Sequence, residues 1–167
     1  ERASGVATGF SGGIDSYCLL ADHFFSEVSP QYKVTHLLFN NLGTRPESEF
    51  RERYRRLLPL AERFGLPFLA INSNLDHFYA GHFDFQQTHT LRNASVALLL
   101  QGGIGRYLYA SAYEYADVFV GASNAMAHTD PITLPLLSTD GLDALSAGSE
   151  YTRVEKTSRV SEIPDSY

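Results

Sequence analysis

A chain of 167 residues, 44% hydrophobic and 19% charged, has room for one domain with a real core. Its formal net charge of −6 excludes a general nucleic-acid or membrane-surface binder, though not a local basic pocket. The single cysteine, Cys18, leaves no internal disulfide and no CxxC zinc or redox motif, and no segment is apolar for long enough to span a bilayer. With no signal peptide visible, the expectation is a cytoplasmic protein without a membrane partner, and the Asn93-Ala94-Ser95 sequon reads as chance. The chain starts without Met, one short step before its first strand, and stops just after its last helix. Both ends read as cuts in a longer protein, with residues 1–167 as one domain of it.

Residues 6–10, Val-Ala-Thr-Gly-Phe, read as the first strand. A helix follows from Asp15 to about Val28, with Ile14, Cys18, Ala21 and Phe25 at helical spacing; Ser29-Pro30 ends it. Residues 33–40 form a second strand, mostly β-branched or apolar, as a buried parallel strand should be. Thr44-Arg45-Pro46-Glu47 has the form of a capping box with Pro in the first turn. The helix it opens carries Phe50, Tyr54, Leu57, Leu58, Ala61 and Phe64 on one face, is expected to kink at Pro59, and stops at Gly65. A third strand covers 67–71, a loop with a short helix 72–88, a helix 90–101, and a fourth strand 106–111. Beyond these, 117–123 reads as strand or irregular loop and 126–148 as mostly loop. A short strand is expected at 151–155 and a short helix at 156–163.

Strands alternating with helices predict an α/β fold of three layers: a mainly parallel, Rossmann-like sheet with helices on both faces. Ligands of such folds sit at the carboxyl ends of the strands. The turn Ser11-Gly12-Gly13-Ile14-Asp15-Ser16 lies at that edge, as do Asn40-Asn41-Leu42-Gly43 and the segment from Ser111. Glycines let the backbone approach an anion, and the N–H groups that open a helix carry the positive end of its dipole. Ser11 and Ser16 add hydroxyl donors. Asp15 would repel phosphate unless a cation lay between, so the loop points to a phosphate–Mg²⁺ site. It lacks GxxxxGK[ST] and GxGxxG, which sets aside the usual mononucleotide loop and a nicotinamide dinucleotide.

The pattern SGGxDS between a strand and a helix resembles the PP-loop of the ATP pyrophosphatase superfamily, which has the HUP-type adenine nucleotide hydrolase fold and includes asparagine, GMP and NAD synthetases, tRNA-thiolating enzymes and 7-cyano-7-deazaguanine synthase. The order of elements agrees over about residues 6–163. Tyr151-Thr152-Arg153-Val154-Glu155-Lys156-Thr157 resembles the second, basic element of that superfamily. No subfamily is assigned. The Asp-rich segment expected of a deazaguanine synthase after the fourth strand is missing from Ser111-Ala112-Tyr113-Glu114-Tyr115, and the cysteine sets of that enzyme and of the thiolating enzymes do not occur.

The resemblance implies ATP and Mg²⁺ as cofactors and an AMP-forming ligase reaction. A carboxylate or amide-type oxygen of a small molecule or modified base is adenylated, pyrophosphate leaves, and a nitrogen or sulfur nucleophile displaces AMP. It implies that Ser11, Gly12, Gly13, Ile14, Asp15 and Ser16 cradle the phosphates, with Lys156 and Arg153 adding positive charge. Asp15 and Lys156 are the catalytic candidates, Phe39 and Asn40 the adenine-pocket candidates, and Asp15 with Asp130 the metal candidates. Each also has a plain reading: a Ser-capped turn, an acidic first turn, a solvated lysine, a polar turn. Arg45 reads as a surface residue at a helix start, and Arg92 and Asn93 as exposed polar positions with substrate contact the alternative. Tyr107, Tyr109, Tyr113 and Tyr115 read as sheet packing; the histidines lack metal-ligand spacing. The rival from another class is a non-catalytic adenine-nucleotide-binding module of the stress-protein or electron-transfer-flavoprotein kind. An ammonia-receiving synthetase domain is a third reading, and homo-oligomerisation is left open.

Overall fold

The computed structural model describes residues 1–79, 81–163 and 166. Five strands form one all-parallel sheet: β1 (Gly5–Gly9), β2 (His36–Asn41), β3 (Phe68–Asn72), β4 (Ile104–Ala110) and β5 (Asp143–Ala147), in spatial order β3-β2-β1-β4-β5. The order reverses at β1, which pairs with both β2 and β4 and leaves a crevice at their carboxyl ends. This is the three-layer, Rossmann-like α/β fold expected from the alternation.

The helices are α1 (Ile14–Leu20), α2 (Glu47–Phe64), α3 (Leu75–Tyr79), α4 (Phe85–Leu99), α5 (Asp130–Leu136) and α6 (Arg153–Ser161). Strand alternation sorts the core between them. Phe10, Leu37, Phe39 and Leu108 point to the face covered by α1, α2 and α6. Ala7, Leu38 and Tyr107 point to the face where Ala97 of α4 packs, and Ala94 of α4 meets Leu134 of α5 and Ala144 of β5.

Several local expectations are corrected. The first helix does not reach Val28: after Leu20 it widens into a π turn, Ala21–Phe25, and the Ser26 hydroxyl and amide both donate to the Ala21 carbonyl. Thr44 caps nothing: Arg45, before Pro46, is disfavoured in the helical region, so α2 cannot open there, and Pro46, extended at φ −55° and ψ 144°, takes the N-cap position. The α2 helix runs unbroken through Pro59 and ends at Gly65 in the left-handed region, φ +67°. The α4 helix begins at Phe85 rather than Thr90, where the Gln87 side chain accepts the Asp84 N–H at 3.0 Å.

The largest corrections lie near the C-terminus. Residues 126–148 hold α5 and the edge strand β5, and 117–123 hold no strand. Residues 151–155 are likewise no strand but the start of α6: Thr152 Oγ1 accepts the Glu155 N–H at 3.3 Å while Glu155 Oε2 accepts the Thr152 N–H at 2.8 Å.

Candidate functional site

The Gly-rich turn hangs from a rigid anchor. Phe10 is buried and meets Tyr17, Phe64 and Phe68 edge-on, with ring centroids 5.5, 6.0 and 6.0 Å apart. Such pairs contribute about 0.5–1.5 kcal/mol each beyond burial, which fixes where Ser11 begins. Gly12 then sits at φ +73°, and a Cβ there would lie 2.8 Å from Leu57 Cδ2. The Ser16 hydroxyl donates to the Gly13 carbonyl at 2.8 Å, closing the first turn. Gly12→Ala is expected to destabilise the fold by roughly 1–2 kcal/mol, mostly through the left-handed backbone, since the Leu57 methyl can yield. Urea unfolding measures this; no change would mean the loop relaxes freely.

Asp15 is held between two cations. Its Oδ1 and Oδ2 each accept from Arg153 Nη1 at 3.1 Å, and Oδ1 also accepts from Lys156 Nζ at 3.2 Å. Lys156 is 2% exposed and donates again to the Ser111 carbonyl at 2.5 Å. One ammonium thus ties the α1 start, the β4 exit and α6 together. Its place is set by the Thr152–Glu155 cap and by Val160 of α6 and Ile163 just after it, both in the core. Arg153 is 63% exposed and lies at the rim. The residues proposed from sequence on the turn and near the C-terminus are therefore gathered at one point, 138 or more positions apart in the chain.

A cleft of about 610 Å³ opens beside this point, along the ends of β1, β2 and β4. Ser11, Asp15, Ser16, Phe39 and Asn40 line it, as do residues given other roles above. Arg45 lines the cleft while pairing with Glu49 at 2.5 Å, and Arg53 of α2 reaches the Ser11 carbonyl at 3.5 Å. Arg53 is one of many charged residues on α2, and only its register against Leu57 and Phe50 places it inward. Asn93 and Tyr109 also line the cleft, so neither is merely an exposed or a sheet-packing position.

Arg92 is 1% exposed, not exposed as its type suggests. It donates to Thr88 Oγ1 and Asp76 Oδ1 at 2.8 Å, points to the Leu42 carbonyl at 3.4 Å, and lies over the Tyr79 ring at 4.6 Å. It pins the β2–α2 loop against α3. Thr88, Arg92 and Val96 recur every four residues along the inner face of α4.

Asp130 stands apart from Asp15's cluster. It is fully buried at the start of α5, Oδ1 accepts from Thr90 Oγ1 at 2.7 Å, Oδ2 has no partner among the described residues, and it is not among the residues that line the cleft. Burial pushes its carboxyl up to about 7, only partly offset by the Thr90 hydrogen bond. The folded state therefore holds the proton more tightly than the unfolded chain. Stability contributed by this group is complete below pH 3.8 and is lost as pH rises toward 7, at up to about 1.4 kcal/mol per pH unit. Asp130→Asn is expected to flatten that part of the stability profile between pH 4 and 7, read by urea unfolding at several pH values; an unchanged slope contradicts the assignment. Nearby, His89 Nδ1 meets the Tyr109 hydroxyl at 2.9 Å, and burial lowers its imidazole pKa.

Among the described residues no group of three or more His, Cys, Asp or Glu is placed to hold a metal ion. Cys18 is fully buried, which pushes its thiol pKa up. No described helix is long and apolar enough to cross a membrane.

A parallel α/β sheet with a Gly-rich turn at its switch point defines the structural class. No protein-family model and no curated protein matches the chain. Among solved structures it is similar to the U34-tRNA thiolase NcsA from Methanococcus maripaludis with its [4Fe-4S] cluster, at 11% identity and a TM-score of 0.61. The match covers 96% of this chain and 57% of that one, so this chain spans little more than half the thiolase's length. The likeness establishes a shared fold.

Proposed function

We propose that this chain is the nucleotide-binding domain of a PP-loop ATP pyrophosphatase, which adenylates an acceptor oxygen and releases pyrophosphate. The observation that carries the reading is the bracketing of Asp15, on the SGGxDS turn, by Arg153 and by the buried Lys156. A plain strand-to-helix turn has no need of a buried ammonium brought from the far end of the chain. The shared fold with a thiolase supports it, and leaves sulfur among the possible nucleophiles. With only Cys18, the sequence has no cysteine set for a cluster like the one that structure names.

In the proposed reaction the acceptor oxygen attacks the α-phosphorus, and the bond from that phosphorus to the bridging α–β oxygen breaks. Its electron pair leaves with pyrophosphate, and a nitrogen or sulfur nucleophile then displaces AMP. The chain's own part is positioning and charge. The N–H groups of the turn would meet the oxygens that gain negative charge, with Arg53 beside Ser11 and with Lys156 and Arg153 adding positive charge through their contacts with Asp15. Little general-base chemistry is required.

Mg²⁺ fits this arrangement in one way. Asp15 is the only carboxylate among the described residues lining the cleft, and both its oxygens are engaged by cations. A bare ion finds no cage here, whereas an ion arriving on ATP phosphates needs only one protein carboxylate. The exposed Arg153 can turn away to free it. Bound so, the metal would neutralise charge on the phosphates.

The reading predicts that the protein binds ATP only with Mg²⁺, with affinity falling at least tenfold when EDTA is present; titration calorimetry measures both. Metal-independent binding without turnover would instead favour the non-catalytic nucleotide module. Cytoplasmic location stays part of the proposal.

A further inference from the structure

The two edges of the sheet differ. On β5 the outward-facing Ala144 N–H donates to the Ser138 hydroxyl at 2.9 Å. On β3 the outward row is open. Leu37 N–H donates to the Pro67 carbonyl and Ser73 N–H to the Asn41 carbonyl, so residues 67, 69, 71 and 73 are the ones bonded to β2. The backbone N–H and C=O groups of Phe68, Ala70 and Asn72 therefore point away from the sheet. Among the described residues, the Phe68 carbonyl is the one of these that finds a partner, the Tyr54 hydroxyl at 3.0 Å. Ala70 and Asn72 are exposed, and the strand Phe-Leu-Ala-Ile-Asn has no charge, proline or bulge of the kind that blocks an edge.

We infer that β3 pairs antiparallel with β3 of a second copy of this chain, about a two-fold axis through Ala70, to form one continuous sheet across a dimer. The outward groups set the register. Ala70 opposite Ala70 of the second copy exchanges both hydrogen bonds, and Phe68 opposite Asn72 of the second copy does the same. On the α4 face Leu69, 37% exposed in the single chain, then meets Ile71 of the second copy, an apolar cross-strand pair made twice.

The α2 face matches as well. α2 stands over both β2 and β3: Phe50 stacks on Phe39 at 5.1 Å and Tyr54 on Phe68 at 4.9 Å. With strands about 4.8 Å apart, the two α2 helices would come to about 10 Å, an ordinary packing distance. Between α2 and the free edge lies a groove of about 360 Å³, lined by Glu47, Arg51 and Arg55 and by Ala70 and Asn72. α2 runs against the strand, so about two turns before Tyr54 it brings Glu47 level with Asn72. The axis then sets Glu47 of each copy opposite Arg55 of the other. Arg51, near the axis, already pairs with Glu47 of its own chain, whereas Arg55 has no carboxylate partner among the described residues. The groove is thus complementary in charge to itself. A strand of another protein could match the backbone but not this reciprocity. Because the axis reverses strand direction, the two clefts open at opposite ends of the joint sheet and both stay accessible. Nothing in this pairing depends on the adenylation reading.

Sedimentation equilibrium of the chain from about 1 to 300 μM is expected to show a monomer–dimer equilibrium with a dissociation constant on the order of 10 μM. Leu69→Lys, at an exposed position, and Ala70→Pro, which removes the central N–H, each leave a monomer; Leu69→Lys carries the test if Ala70→Pro does not fold. Glu47→Arg and Arg55→Glu each weaken self-association at least tenfold when alone, and their equimolar mixture regains it, since each then offers the other the opposite charge. A wild-type chain that stays monomeric overturns the inference and leaves the edge to a strand of another protein. A dimer that survives Leu69→Lys, or a mixture that associates no more tightly than its components, overturns it too.

Discussion

If the proposed adenylation holds, Lys156→Met is expected to lower AMP formation by about 100- to 1,000-fold, the scale seen when one preorganised donor to developing charge is removed. Methionine keeps most of the stem's volume, so packing against the last turns survives while the ammonium goes. Three consequences come together. In the proposed reaction the leaving pyrophosphate would lose a buried cation, Asp15 keeps only the exposed Arg153, and the Ser111 carbonyl loses its 2.5 Å donor. The unsatisfied carbonyl and weakened pair cost roughly 1–3 kcal/mol of stability, a loss far too small to unfold an ordinary domain. The rate of AMP release from ATP and the urea midpoint separate the effects: a rate within a few fold of wild type would make Lys156 a structural tie and nothing more.

Asp15→Ala has the second large effect, and it acts first on the fold. It strands the Lys156 ammonium, 2% exposed, with the Ser111 carbonyl as its remaining partner. Breaking a buried pair from one side costs about 3–5 kcal/mol. Asp15→Asn keeps the shape and an oxygen for Lys156, so it folds with a smaller loss and isolates the charge. In that variant ATP binding is expected to lose its dependence on Mg²⁺, because no carboxylate then remains among the described residues lining the cleft. Calorimetric titration with and without the ion checks this; full metal dependence in Asp15→Asn would show that Asp15 serves only to hold Lys156 and Arg153.

What the sequence revealed follows from where local signals are strong. β1, β2 and the Gly-rich turn were legible because a short apolar run followed by two glycines has few other solutions. β5 was not. Asp143-Ala144-Leu145-Ser146-Ala147 has one large apolar residue, and an edge strand paired only with β4 and backed by α5 needs no more. At 151–155 Tyr, Thr and Val are residues common in strands, but the Thr152–Glu155 box makes the segment a helix start. Asp84-x-x-Gln87 is a box of the same kind, and it opens the helix that carries Arg92 and Asn93. In contrast, Thr44-x-x-Glu47 carries the capping pattern but fails because Pro46 forces an extended residue before it.

The site divides in the same way. Ser11, Gly12, Gly13, Asp15 and Ser16 are contiguous, so their common place needs only a strand and a helix. Lys156 and Arg153 needed the superfamily resemblance, since nothing local says that α6 docks on α1. Asn40, Tyr107 and Asn93 come from β2, β4 and α4, and only the parity of the strands puts them on the α4 face of the sheet. A lone Arg such as Arg53, among many on α2, carries no sequence signal of its own.

The central claim is that ATP is cleaved between its α- and β-phosphates. The direct measurement is product analysis of ATP labelled at the α-phosphate, incubated with the full chain, Mg²⁺, ammonium and a set of amide-type and carboxylate acceptors. The account predicts labelled AMP or an AMP adduct, in amounts that fall with Lys156→Met. Labelled ADP as the product, or ATP bound and returned intact with every acceptor, would contradict it.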